Sequence, residues 1–246
     1  MLVALLTDIH SNREAFEACL SHASDSGAER YVFLGDYVGY GADPNWVVDR
    51  VQDYVGKGAG AILGNHDAAI SNLDERMSTI ADIAIQWTRN ELGAAQKAFL
   101  QKLPLTIEEG DRLFVHASAN APNHWHYISS GTDARLSFDA TGRRLTFCGH
   151  IHVPDVFRMT TTDKVVEFKP VSGSPIALSG MWRWLAIVGS VGQPRDGDPA
   201  AAYALFDEAT NMLTYVRVPY DVETAARKVI KAGLPEVLGM RLLRGY

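Results

Sequence analysis

Leu2-Val3-Ala4-Leu5-Leu6-Thr7-Asp8-Ile9-His10 opens the chain. Five apolar residues without polar alternation read as a strand buried on both faces, and they run directly into an acid and a histidine two residues apart. The same design recurs outward from this stretch. Tyr31–Leu34 is a second apolar run and ends in Gly35-Asp36; Ala61–Leu63 is a third and ends in Gly64-Asn65-His66-Asp67. Between the first two, Ser11-Asn12-Arg13-Glu14 has the form of a capping box, and Phe16, Cys19, Leu20 and Ala23 then recur at helical spacing. A second helix fits Asn45–Val55, with Pro44 near its start and Gly56 beyond its end. Strand, helix, strand, helix, strand implies a parallel α/β arrangement.

Further on, residues 74–102 have a helical composition, with Ile80, Ile83, Ala84 and Trp87 on one stripe and Pro104 as the stop. Short strands with turn signals follow: Leu105–Glu108, Leu113–Val115, Leu145–Cys148, Val156–Met159, Val165–Phe168, Trp184–Val188, Ala202–Phe206 and Leu213–Val218. They predict a second, largely antiparallel sheet. A last helix spans Val222–Lys231 before Gly233, and the tail 234–246 is helical again. Without an internal repeat or a long linker, residues 1–246 read as one domain.

Composition narrows the functional classes. With 246 residues, 47% of them hydrophobic, the chain can bury a sizeable core. No apolar run approaches the roughly 18 residues that span a bilayer, and the start lacks a basic leader, so the expected compartment is the cytoplasm. Cys19 and Cys148 are far apart, which leaves neither a disulfide framework nor a cysteine zinc site. A net charge of -6 argues against stable, non-specific nucleic-acid binding.

The chemistry gathers at strand ends. Leu113–Val115 ends in His116, and Leu145–Cys148 ends in Gly149-His150-Ile151-His152, so five strands deliver polar clusters to one rim. Within Asp8-Ile9-His10 and His150-Ile151-His152 the polar residues are two apart; in an extended segment both point the same way, as suits ligands of one ion or of two adjacent ions. Glycines 35, 64 and 149 let the backbone come close to a ligand.

On these motifs, Asp8/His10, Gly35-Asp36, Gly64-Asn65-His66-Asp67, His116 and Gly149-His150-Ile151-His152, the chain resembles the calcineurin-like metallophosphoesterases, in particular their small bacterial-type branch. The resemblance implies a four-layer α/β/β/α sandwich of two facing mixed sheets, with a dinuclear metal centre at the sheet edge. It implies one ion held by Asp8, His10, Asp36 and His152 and a second by Asp36, Asn65, His116 and His150, with Asp36 as the bridge. His66 would face the substrate as general acid or transition-state stabiliser, and Asp67 would orient it. The implied activity is hydrolysis of phosphoric esters by a metal-bound hydroxide. Ligands without thiolate suit Mn, Fe, Zn, Co or Ni better than Mg or Ca. Two divalent ions outweigh Asp8, Asp36 and a hydroxide, so an anionic substrate is attracted despite the acidic chain.

The substrate is less defined. Gly35-Asp36-Tyr37-Val38 resembles the protein Ser/Thr phosphatase branch, but that branch continues with Asp-Arg-Gly where this chain has Gly39-Tyr40-Gly41, so its phosphate-binding arginine is missing. A small or nucleotide-like phosphomonoester or phosphodiester fits better. Residues 118–131, with His124 and Trp125, form either a substrate wall or a surface loop packed on its own aromatics. Arg195 in the glycine-rich 189–197 turn contacts phosphate or makes a structural pair with Asp196. Cys148 reads as a buried hydrophobe and His22 as an ordinary helix residue. Two non-hydrolytic readings stay open: a metal-stapled scaffold for a partner protein, and a nucleotide sensor.

Overall fold

The computed structural model describes residues 1–75 and 77–246. Its elements run, in order, β1 (Leu2–Leu6), α1 (Arg13–Asp25), β2 (Arg30–Phe33), α2 (Pro44–Val55), β3 (Gly60–Ala61), α3 (Asn65–Ala69), α4 (Thr79–Glu91) and α5 (Ala94–Leu100). Then come β4 (Thr106–Glu109), β5 (Arg112–Val115), a single 3-10 turn (Pro122–His124), α6 (Gly131–Asp139), β6 (Leu145–Cys148), β7 (Asp155–Met159), β8 (Val165–Phe168), β9 (Ile176–Ala177) and β10 (Arg183–Ile187). Two long strands, β11 (Ala201–Asp207) and β12 (Met212–Val218), precede the final helices α7 (Val222–Lys231) and α8 (Glu236–Arg244).

The strands form two six-stranded sheets, ordered β3-β2-β1-β11-β12-β9 and β4-β5-β6-β10-β7-β8. Alternation along each strand explains how they stack. Val3 and Leu5 of β1 face inward onto Phe114, Phe147, Trp184 and Phe206, which fill the space between the sheets. Ala4 and Leu6 face outward onto Phe16 and Cys19 of α1 and Val47, Val48 and Val51 of α2. On the far side, Val115, Cys148, Phe157 and Ile187 pack on Ala134 and Phe138 of α6. The result is the expected four-layer sandwich of two mixed sheets between helices. Among the described residues no helix is long and apolar enough to cross a membrane.

Several local expectations are corrected. The cap of α1 is Asn12, whose side chain accepts from the Ala15 N–H, rather than Ser11, which adopts a left-handed backbone (φ 54). The third strand is shorter than the apolar run: Ile62 N–H still donates to Phe33 O of β2, but Leu63 N–H donates to Pro104 O. The expected helical stretch 74–102 is two helices, α4 and α5, broken at Leu92 and Gly93; its residue 76 lies outside the described residues. The buried face of α4 is Ala81, Ala84, Ile85 and Thr88, while Ile83 is 46% exposed, so the stripe is rotated from the one its large residues suggest. The second sheet is mixed, because β6 pairs in parallel with both β5 and β10. The last two long strands belong to the first sheet, where β11 runs antiparallel to β1 and β12 to β11. The short β9 at that sheet's edge was not anticipated.

Candidate metal centre

Three imidazoles are aimed by backbone carbonyls. The Nδ1 atoms of His10, His116 and His152 lie 3.0, 2.7 and 2.7 Å from Val38 O, Leu34 O and Gln193 O. A carbonyl can only accept, so each ring carries a proton on Nδ1 and, when neutral, presents the Nε2 lone pair inward. For His10 and His152 those lone pairs face each other. His10 Nε2 is 3.1 Å from His152 Nε2, and His116 Nε2 is 3.2 Å from His150 Nδ1 and 3.1 Å from Asn65 Oδ1. Buried lone pairs facing one another repel unless a cation sits between them.

The carboxylates complete two groups. Asp8 Oδ1, which is buried and makes no hydrogen bond, is 3.3 Å from His152 Nε2 and 3.8 Å from His10 Nε2. Asp36 Oδ2 is 3.6 Å from His10 Nε2 and 3.4 Å from His116 Nε2, so one oxygen serves both sides. Ligand atoms of Asp8, His10 and His152, and of Asp36, His116 and His150, converge closely enough for each set to hold an ion. The donor set, mixed imidazole and carboxylate, fits metal binding. His66 also converges with His10 and Asp36, and its buried Nδ1 has no partner.

The backbone reason for this convergence differs from the extended geometry expected of the Asp-x-His and His-x-His pairs. Asp8, His10, Asp36, His150 and His152 all have left-handed backbones, with φ of 52, 48, 56, 72 and 64. Each L-residue costs on the order of 1 kcal/mol in that region, so the surrounding fold must hold them there. It does so through Val191 N–H to Thr7 O, Gly192 N–H to Asp8 O and Ser190 Oγ–H to Asp8 O, a strap laid across the β1 loop. Glycine is required where loops touch: a Cβ on Gly64 would fall on the Asp36 carboxylate and backbone, and one on Gly149 on Thr7 and Asp8.

Asp67 does not reach the His66 ring. Its Oδ2 accepts from Asp36 N–H (2.8 Å) and Gly64 N–H (3.0 Å), and its Oδ1 from Tyr37 N–H (2.9 Å) and Val38 N–H (3.3 Å). The carboxylate therefore ties the β2 loop to the start of α3, and orientation of His66 comes instead from its own N–H to Asp36 Oδ1 (2.9 Å). Tyr40 was missed by sequence reasoning. It packs 4.6 Å from the His10 ring and 4.5 Å from that of His66, and its flanking glycines were the available signal.

The outer residues divide. Trp125 stands edge-on to His116 at 5.9 Å, and Tyr127, 59% exposed, stacks on His150 at 4.3 Å, so these two reach the rim. His124 is exposed and packs against His126. Arg195 makes no pair with Asp196, which is taken by Arg217. Cys19 and Cys148 are buried free thiols, pushed up by burial. His22 bonds Tyr203 on α1, away from the rim.

Titration follows the same contacts. Burial pushes the His66 and His150 rings down to about 4 and about 3. For His116 burial acts the same way, but Asp36 outweighs it and carries the ring up to about 9. Asp36 stays well below the usual carboxylate range because His116 and His66 overcome its burial. Burial and Asp36 push the Asp67 carboxyl up to about 8 against its N–H donors.

Residues 1–211 match the calcineurin-like phosphoesterase superfamily domain. A metallophosphoesterase from Sphaerobacter thermophilus superposes with a TM-score of 0.88 at 35% identity, covering 100% of this chain and 99% of that one. An uncharacterized protein of Methanocaldococcus jannaschii is 36% identical over 251 residues, covering 99% of this chain and 98% of its own. A hypothetical protein from Pyrococcus horikoshii shares the fold, with a TM-score of 0.79 at 19% identity over 100% of this chain and 98% of that one. With the domain pattern matched across most of its length and relatives more than a third identical from end to end, the chain belongs to the calcineurin-like phosphoesterase superfamily.

Proposed function

We propose that this metallophosphoesterase hydrolyses a small or nucleotide-like phosphate ester with two divalent transition ions, one at Asp8, His10, Asp36 and His152 and one at Asp36, Asn65, His116 and His150. The observation that carries the reading is the His10–His152 pair, whose Nδ1 protons are fixed on backbone carbonyls and whose Nε2 atoms face each other at 3.1 Å beside the Asp8 and Asp36 carboxylates. Two such ions supply Lewis acidity and an activated water for in-line attack at phosphorus. The protein's part is positional. Asp36 holds both halves together, Asp67 fixes the loop that presents it, and His66, kept neutral at pH 7 by burial, would give a hydrogen bond from its ring N–H to the departing oxygen. Trp125 and Tyr127 wall the rim where the organic part of the ester lies, and exposed His124 stands beside that wall. The whole chain acts as one domain, because α7 and α8 cover Tyr40 through a shared apolar cluster. Buried, unpaired cysteines accord with a reducing, cytoplasmic setting.

Reconstituting metal-free protein with Mn²⁺, Zn²⁺, Ni²⁺, Co²⁺ or Fe²⁺ and assaying p-nitrophenyl phosphate beside bis-p-nitrophenyl phosphate tests this. Two ions per chain and metal-dependent turnover are expected. Two bound ions without turnover of either ester would make the protein a scaffold or sensor, and failure to bind metal would overturn the centre itself.

Metal uptake is also expected to depend on pH. An ion at the second group must displace the His116 proton, which is retained up to about pH 9 in the metal-free fold. Affinity therefore climbs as pH rises, by up to about tenfold per unit, and levels off above 9. The folded-state shift of His116 is upward, so the charged His116–Asp36 pair stabilises the metal-free fold below pH 6.5 and that contribution fades toward 9. Calorimetry at several pH values, in two buffers of different ionisation heat, reads both the slope and the released protons.

A further inference from the structure

We propose that Arg195, seated on the ring of Tyr40, clamps the phosphoryl oxygens of the substrate and so selects dianionic phosphomonoester ends over monoanionic diesters. This rests on the phosphate-ester reading above and adds the substrate class. The β2 loop carries Tyr40 where the protein phosphatase pattern has its phosphate-binding arginine. In this fold a guanidinium reaches that tyrosine from a different loop, between β10 and β11. Arg195 lies with its guanidinium carbon 5.7 Å from the Tyr40 ring centroid, and Tyr40 in turn touches the rings of His10 and His66. Its loop is anchored to the centre itself, since Arg195 N–H donates to the carbonyl of His152 (3.2 Å).

The side chain is held but not neutralised. Gln193 Oε1 accepts from Arg195 Nε (3.3 Å) and Nη2 (2.9 Å), which sets the plane of the fork; its other close neighbour is Tyr40. Among the described residues no carboxylate pairs with Arg195, and the adjacent Asp196 is engaged by Arg217. A staple for a turn needs no charge, and two bonds to a neutral amide do not offset one. A half-buried guanidinium, fixed in orientation and left unpaired next to a cluster of ligand residues, is built to receive an anion in bidentate fashion. Tyr40 holds its ring there with a left-handed backbone (φ 61). Its role is positioning: it supports the cation from below and separates it from His66. A monoester carries close to two negative charges at neutral pH, a diester one, so an extra fixed cation favours the monoester.

The test uses metal-loaded protein and compares wild type with Arg195→Ala, Arg195→Lys, Tyr40→Leu and the Arg195→Ala/Tyr40→Leu double variant. Metal content per chain, the Kd of inorganic phosphate by calorimetry, and kcat/KM for p-nitrophenyl phosphate and its diester are measured. Arg195→Ala is expected to weaken phosphate binding about 10- to 100-fold, the range for a lost charge-assisted bond, and to lower monoester kcat/KM in proportion. Diester kcat/KM falls by less than about 3-fold, and metal content stays unchanged. Arg195→Lys retains the charge but not the fork and falls between, which keeps the test valid if the alanine variant folds poorly. Tyr40→Leu weakens phosphate binding without metal loss, and the double variant is no worse than Arg195→Ala alone, the non-additivity of groups acting as a unit. Unchanged phosphate affinity in Arg195→Ala, or equal losses on both esters, overturns the proposal while leaving a working hydrolase. Wild type that binds two ions but neither binds phosphate nor turns over either ester overturns the hydrolase reading itself.

Discussion

Asp36→Asn is expected to lower ester hydrolysis by about 10³-fold or more, at or beyond the scale of removing a principal electrostatic stabiliser. Its Oδ2 lies between His10 Nε2 at 3.6 Å and His116 Nε2 at 3.4 Å, so it is the atom shared by the two groups. An amide there offers one neutral oxygen in place of a charge, and if its nitrogen takes that position it points an N–H at lone pairs. The loss reaches further than one bond. Asp36 is the main group that holds the His116 ring up at about 9; without it only Asp8 and the Leu34 carbonyl oppose burial, and the metal-free ring loses its proton at lower pH. The loop itself survives, because Asp67 binds the N–H groups of residues 36–38 rather than the Asp36 side chain. The variant is therefore expected to fold, to bind at most one ion per chain by elemental analysis, and to show a flatter pH dependence of metal uptake. Two ions retained with wild-type turnover would remove Asp36 as the bridge.

His66→Ala is expected to lower turnover by about 10²–10⁴-fold, the usual contribution of a group that moves a proton in the transition state, while both ions stay bound. The ring is oriented from its backbone, by the N–H bond to Asp36 Oδ1, and from its face, by Tyr40 at 4.5 Å. Its Nδ1 is buried without a partner. Gly39 leaves the room for it, since a Cβ at that position would collide with Nδ1. Because His66 also converges with His10 and Asp36, metal content separates two roles. A variant that keeps two ions and loses turnover places His66 at the substrate. One that drops an ion makes it a ligand.

Much of the fold was legible because its first half is built from local signals. Apolar runs of four or five residues, a Pro at a helix start and a Gly at its end are short-range chemistry, and β1, α1, β2 and α2 follow from them. The rim was legible for a related reason: Asp8, Asp36, His116 and His150 each come just after a strand, and strand ends in an α/β sheet are brought together whatever the details of the loops. What could not be read depends on distant partners. The pattern of β11 and β12 is equally at home in either sheet, and only pairing with β1, nearly two hundred residues away, decides between them. Asn12 displaces Ser11 as cap because Ser11 is drawn into a left-handed turn whose N–H bonds Tyr37 O. Asp67 looked like a partner for its neighbour His66, yet the N–H groups of a loop thirty residues earlier were nearer. Ile83 lost its place in the core because Ala81, Ala84 and Ile85 lie on the side of α4 that meets other elements.

The strap of residues 190–192 across the β1 loop also sets an order of events. During synthesis Asp8 and His10 emerge well before the groups that hold their backbones in place, Ser190, Val191 and Gly192, which lie about 180 residues later. A nascent chain that already contains every candidate ligand through His152 still lacks β10, β11 and the strap. Ribosome-bound chains halted before residue 190 are thus expected to leave the centre unassembled, so metal capture waits on the strap and reports that the segment joining both sheets has been made.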